Sequence, residues 1–178
     1  MITTDLIRSM DPCYDPVTGL SSEGEKENEG YLTEGYSATL IDFLNHAKIP
    51  ARDKMWVVLN EGIIDDKTLR LFAVECAKSA LSLIDNPDPR SVEALNVEER
   101  FADGEASQQE LDAARAASKT AAWDSNCENV WNAYVVARAA EAEDAWDAAW
   151  GASWAASKAT AKDAEWQPQL RLIVEILS

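Results

Sequence analysis

A single histidine, His46, occurs in the chain. No His-paired nucleophile, histidine-rich metal site or pair of imidazole acid and base is therefore available. His46 follows Asn45 near the expected end of a helix, where an imidazole can simply bond the last carbonyls. Cys13, Cys76 and Cys127 are an odd number of cysteines, far apart and without metal-ligand spacing. They read as reduced thiols of a cytoplasmic protein. No phosphate-cradling glycine loop, GxSxG elbow, HExxH helix or calcium-loop pattern occurs. We therefore assign no catalytic, cofactor-binding or metal residue, expect no cofactor, and expect the protein not to be an enzyme. Basic residues are scarce as well, 16 Lys and Arg against 32 Asp and Glu, for a net charge of -16. That charge repels nucleic acid and anionic lipid, which argues against direct contact with either, and it favours a protein partner with a basic surface. Nowhere do about 18 apolar residues run together, and the opening MITTDLIRSMDPCYDP lacks a basic region followed by an apolar core. We expect neither a membrane span nor a standard export signal.

The chain is nevertheless 47% hydrophobic, enough for a real core. The first 35 residues carry Pro12, Pro16, Gly19, Gly24, Gly30 and the acidic stretch SSEGEKENEG. They read as an acidic, mostly irregular segment with an exposed loop, Tyr14 and Leu20 being attached to the core. Residues 36–178 read as one helical domain. Leu40, Ile41, Phe43 and Leu44 recur at helical spacing. Pro50 opens a second helix, with Met55, Trp56, Val58 and Leu59 as its apolar residues and Gly62 as its stop. Asp65 or Asp66 caps a third, whose buried face is Leu69, Phe72, Ala73, Cys76, Ala80, Leu83 and Ile84. Cys76 on that face is a small core residue rather than a nucleophile. Asp88 followed by Pro89 starts a fourth helix, and Gly104 ends it. Ser107 with Glu110, and Ser125 with Glu128, form capping boxes. Between them Leu111, Ala114, Ala117, Ala121 and Ala122 make a small-residue face. Pro168 opens a last helix with Leu170, Leu172, Ile173, Ile176 and Leu177 as its apolar set. No sustained period-two alternation occurs, so the fold class is all-α, a bundle of about six or seven helices.

The run from Ser125 to Trp166 organises this bundle. No proline interrupts it and Gly151 is its only glycine, so it is one long helix or two helices kinked near Gly151. At about 100° per residue, Trp131, Trp146, Trp150 and Trp154 fall within roughly 140° of one another. Glu141, Asp144, Asp147, Lys158, Lys162 and Asp163 lie on the other side. The indole stripe reads as core, with a partner groove as the alternative. Neighbouring carboxylates such as Glu98 and Glu99, or Glu141 and Asp144, are commonplace on solvated helix faces, and a catalytic pair there is disfavoured.

From Ile49 onward, IPARDKMWVVLNEGIIDDKTLRLFAVECA, DPRSVEALNVEERFADGEASQQELDAARAA and the AAW-type repeats resemble a family of Ala/Trp-rich helical proteins classed as immunity proteins. Many of its members lie in phage or prophage sequences, and the opening DPCYDPVTGL is similar to that of phage-borne members. The resemblance implies a small helical protein that acts by binding rather than turnover, and it supplies no catalytic residue. It further implies a role against a toxin or, for phage-borne members, a host defence such as CRISPR. The expected function is then a non-enzymatic inhibitor of a toxin or of a nucleic-acid-handling defence complex. Its carboxylates would occupy a basic channel in place of phosphates. Candidate contacts are Glu23, Glu25, Glu27 and Glu29 of the opening segment, or Glu141, Asp144 and Asp147 of the long run. Two other classes stay open: a self-associating structural protein joined by its Trp and Ala faces, and a hydrolase or carboxylate-metal enzyme, which needs converging acids in a pocket.

Overall fold

The computed structural model describes residues 1–82, 85–124, 149, 151 and 166–178, with the side chains of 122–124 left out. Outside the described residues lie Leu83, Ile84, the Ala122 side chain, Cys127, the expected Ser125–Glu128 box, the expected stripe of Trp131, Trp146, Trp150 and Trp154, and Glu141, Asp144, Asp147, Lys158, Lys162 and Asp163. Seven helices and one two-stranded sheet are found among the described residues, a predominantly helical fold of the all-α class. Residues 1–60 and 61–178 form two compact units.

The first unit opens with structure where the Gly/Pro-rich composition predicts little. Strand β1 (Ile2–Thr3) pairs antiparallel with β2 (Ser37–Ala38), Ile2 opposite Ala38 and Thr3 opposite Ser37. Helix α1 (Thr4–Ser9) follows at once, and the Thr3 hydroxyl accepts the Leu6 amide at 3.1 Å. That cap satisfies a first-turn donor, while Asp5 and Arg8 sit at the helix ends their charges favour. Thr4 ties the helix back by donating its amide to the Tyr36 carbonyl at 3.2 Å and its hydroxyl to the Thr33 carbonyl at 3.0 Å. Burial of Ile2, Ile7 and Leu32 explains why so short a helix persists. Helix α2 (Leu40–Asn45), capped by Thr39, contributes Phe43 and Leu44 to this core. Helix α3 (Ala51–Val58) starts one residue after Pro50 and contributes Met55, Val57 and Val58. Trp56 is only partly covered.

In the second unit, helix α4 (Asp66–Leu81) is capped by Asp65, whose carboxylate accepts the Thr68 amide at 2.9 Å. Its buried face is Leu69, Phe72, Ala73, Cys76, Ala77 and Ala80. Helix α5 (Pro89–Ala102) starts at Asp88, which accepts the Arg90 amide at 2.8 Å, and Gly104 follows it in the left-handed region at φ 77°. Helix α6 (Gln108–Asp124) begins in the Ser107–Glu110 box: Glu110 accepts the Ser107 amide at 2.8 Å and Ser107 accepts the Glu110 amide at 3.3 Å. Along it Leu111 and Ala121 are buried, whereas Ala114 and Ala117 are half-buried. Helix α7 (Gln167–Leu177) packs on α4 and buries Leu170 and Ile173, while Leu172, Ile176 and Leu177 are half-buried. Trp166 precedes it at φ 74°, unusual for a bulky residue, and is buried. Ala149 and Gly151 are helical and buried.

Glu98 corrects the reading of Glu98 and Glu99 as a solvated pair. It is 1% exposed and accepts hydrogen bonds from Arg70 of α4 at 3.0 Å and Arg115 of α6 at 3.3 Å. A carboxylate taken out of water must be paired, and two guanidiniums from flanking helices do so. Arg70 also lies over the Phe101 ring at 5.4 Å. Glu99, one residue on, is half-exposed and bonded to Lys78 at 2.9 Å.

Candidate functional site

Residues 12–31 leave α1 and return as a loop that folds on itself. Its base is set by Asp15. One carboxylate oxygen accepts the Val17 and Thr18 amides at 2.9 and 2.8 Å, and the other accepts the Arg8 guanidinium at 2.6 Å. Asparagine-like bonding of this kind is how an aspartate makes a local turn. The Arg8 contact, foremost, and then the two amides hold the Asp15 carboxyl well below the usual carboxylate range. The other two nitrogens of Arg8 bond both oxygens of Glu34 at 2.9 and 2.7 Å, so one guanidinium joins the two ends of the loop.

Two glycines close the loop. Gly19, at φ 72°, lies so near the Asn28 carbonyl oxygen that a Cβ there would meet it at 2.0 Å. Gly30, at φ 69°, stands in the same relation to the Val17 carbonyl oxygen, at 2.1 Å. Only glycine permits both the positive φ and the backbone approach. Beside them Glu27 donates its amide to Gly19 at 2.9 Å, and Tyr31 and Leu32 donate theirs to Pro16 at 2.8 and 3.0 Å. The tip is a turn in which the Gly24 amide bonds Ser21 at 2.9 Å, with antiparallel bridges Leu20 to Lys26 and Tyr14 to Ser21 beneath it.

Tyr14 anchors the loop to α3. Its hydroxyl donates to Asp53, and its ring meets Tyr31 edge-on at 6.3 Å. Burial, and next the hydrogen bond to Asp53, push the Tyr14 phenol well above its ordinary range, and burial raises the Asp53 carboxyl. Leu20, expected in the core with Tyr14, is 39% exposed instead, because the turn at Thr18–Gly19 carries it to the rim.

On this frame Glu23, Glu25, Glu27 and Glu29 are all exposed. The structure thus brings the four opening candidates together on one braced loop. Lys26 lies 3.5 Å from Glu29, but both side chains are so exposed that the pair neutralises little. The second candidate set, Glu141, Asp144 and Asp147, lies outside the described residues. The exposed carboxylates of the loop can accept hydrogen bonds from lysine and arginine.

The supports of the loop lie far apart in the sequence and form no local motif. Arg8 and Glu34 are 26 positions apart, and Tyr14 and Asp53 are 39 apart. The glycines carried the one available signal, read only as loop composition. His46 is also placed differently from expectation. Its backbone amide, not its ring, bonds the helix end, to Phe43 at 3.2 Å. The chain has already turned extended there, at ψ 119°, and the imidazole sits edge-on to Tyr36 at 5.8 Å. Cys76 is a core residue, 1% exposed, its thiol pushed up by burial. Cys13 is exposed. Among the described residues no three His, Cys, Asp or Glu are grouped to hold a metal, and no helix is long and apolar enough to cross a membrane.

No family model, curated protein or solved structure matches this chain.

Proposed function

We infer that the protein is a non-enzymatic inhibitor that binds a basic-surfaced effector in the cytoplasm and blocks it. The targets are a nucleic-acid-handling defence complex, as an anti-CRISPR protein would engage, or a toxin, as the resemblance to immunity proteins implies. One observation carries this reading: Glu23, Glu25, Glu27 and Glu29 project from a loop already locked by Arg8, Asp15, Gly19 and Gly30. A loop whose backbone is ordered before binding loses less conformational freedom on binding, which leaves only the glutamate side chains to be ordered. The net charge of -16 adds long-range steering toward a basic channel. Residues 1–60 alone hold ten acidic and five basic side chains.

The test is capture from lysate of a bacterium carrying toxin and CRISPR-type systems, washed at low and then high salt. Recovery of a nuclease or nucleic-acid-binding complex, released by salt and inhibited by the purified protein, is the expected result. If nothing specific is retained, or the retained complex keeps full activity, the inhibitor reading fails.

A further inference from the structure

A cavity of about 300 Å³ opens in the first unit, lined by Tyr31, Leu32, Thr33, Tyr36, His46 and Lys48 among others. That volume is at the lower end of small-molecule sites, about 300 Å³ and upward. In a chain with 32 carboxylates, none lines this cavity. Each polar side chain of the lining can donate a hydrogen bond: three hydroxyls, an imidazole and an ammonium. Glu34, the carboxylate nearest in sequence to Thr33, is held by Arg8.

Two of these groups have no partner. The Tyr36 hydroxyl and His46 Nδ1 are buried without a hydrogen bond, and their rings stand edge-on to each other. A buried polar group left unbonded is destabilising, and a ligand that meets it recovers that loss. Burial, and after it the negative charge of Asp42, raise the Tyr36 phenol above its ordinary value. Lys48, exposed at the mouth, adds the one positive charge. Leu32 and the two tyrosine rings make the remaining wall apolar and flat-sided.

We propose that this cavity binds a small organic anion, a carboxylate or phosphate on a planar apolar body, through Tyr36, His46 and Lys48. The planar part lies against Tyr31 and Leu32, and the anionic oxygens accept from the phenol, the imidazole and the ammonium. Tyr31 belongs both to this wall and to the base of the acidic loop, but the anion contacts use none of the loop glutamates, so the proposal stands or falls independently of the inhibitor reading.

Because His46 is the only histidine, its ring carbon-bound protons give one set of imidazole signals in the NMR spectrum of the full chain. Titration with benzoate and with phenyl phosphate separates a carboxylate source from a phosphate source, and benzylamine and benzyl alcohol serve as the cationic and the uncharged control. The expected result is a saturable shift of the His46 signals with at least one anion and none with benzylamine or benzyl alcohol. Tyr36→Phe and Lys48→Gln should each weaken that binding about tenfold, as loss of a hydrogen bond to a charged group does. Lys48 is exposed, so K48Q tests the idea even where Y36F disturbs packing. Absence of a saturable shift with both anions, equal binding of benzylamine, or unchanged affinity in both variants would overturn the proposal.

Discussion

The loop of residues 12–31 and the helices of residues 66–124 are stabilised in contrasting ways. The helices are built from local rules: an Asp or Ser cap, an apolar stripe at helical spacing and a glycine stop. The loop has no repeating bonds. It depends on single contacts between distant residues, Arg8 to Asp15 and Glu34, Tyr14 to Asp53, and two backbone approaches at Gly19 and Gly30. Loss of one helical contact weakens a redundant structure, whereas each latch of the loop is a contact that no neighbour repeats. The exception on the helical side is Glu98, where three helices depend on one carboxylate.

That exception gives the largest expected effect. Glu98→Ala leaves Arg70 and Arg115 partly buried and unpaired, and should cost about 3 kcal/mol or more in denaturant unfolding. A cost below about 1 kcal/mol would mean that the triad does not hold the second unit together. Next, Gly19→Ala forces a Cβ into the Asn28 carbonyl at a positive φ, and should cost about 2 kcal/mol or more. Gly24→Ala is the matched control: its φ is 82° but nothing lies within 4 Å, so only backbone strain of about 1 kcal/mol is expected. Equal costs for G19A and G24A would remove the latch from the comparison. Asp65→Ala removes one cap and should cost about 1 kcal/mol, without altering loop signals.

How much of this was legible in the sequence follows the same division. Asp65, Asp88 with Pro89, Gly104 and the Ser107–Glu110 box were readable because cap and partner lie within four residues. Helix α1 was not, since six residues between a threonine and a Gly/Pro-rich loop carry too little periodicity. Glu98 sits beside Glu99 in a pattern identical to a solvated face, and only the arrival of Arg70 and Arg115 reveals its burial. The four loop glutamates were legible as candidates from charge alone, but their frame was not. The cavity around His46 unites residues from positions 31 to 48 that share no motif, so no local pattern marks it.

Acid sharpens the comparison further. Asp15 has a folded pKa below its unfolded value, so its contribution is fully present above about pH 4 and is lost as pH falls through the folded value. Chemical shifts of Val17 and Thr18 amides should therefore stay native through mild acid and change only at strongly acidic pH. A midpoint near the ordinary aspartate value would show that Arg8 and the turn amides do not hold this carboxylate. The smallest effect on stability belongs to the glutamates themselves. Replacing Glu23, Glu25, Glu27 and Glu29 by Gln should leave unfolding within about 0.5 kcal/mol, because exposed side chains contribute little to the fold.

That same quadruple variant gives the most direct test of the loop as a binding element. With the captured effector in hand, its affinity for the natural chain and for the variant is measured at low and high salt. The account predicts that the natural chain binds more weakly as salt rises, and that the variant loses both affinity and most of the salt dependence. A variant that binds as tightly, with the same salt dependence, would contradict it.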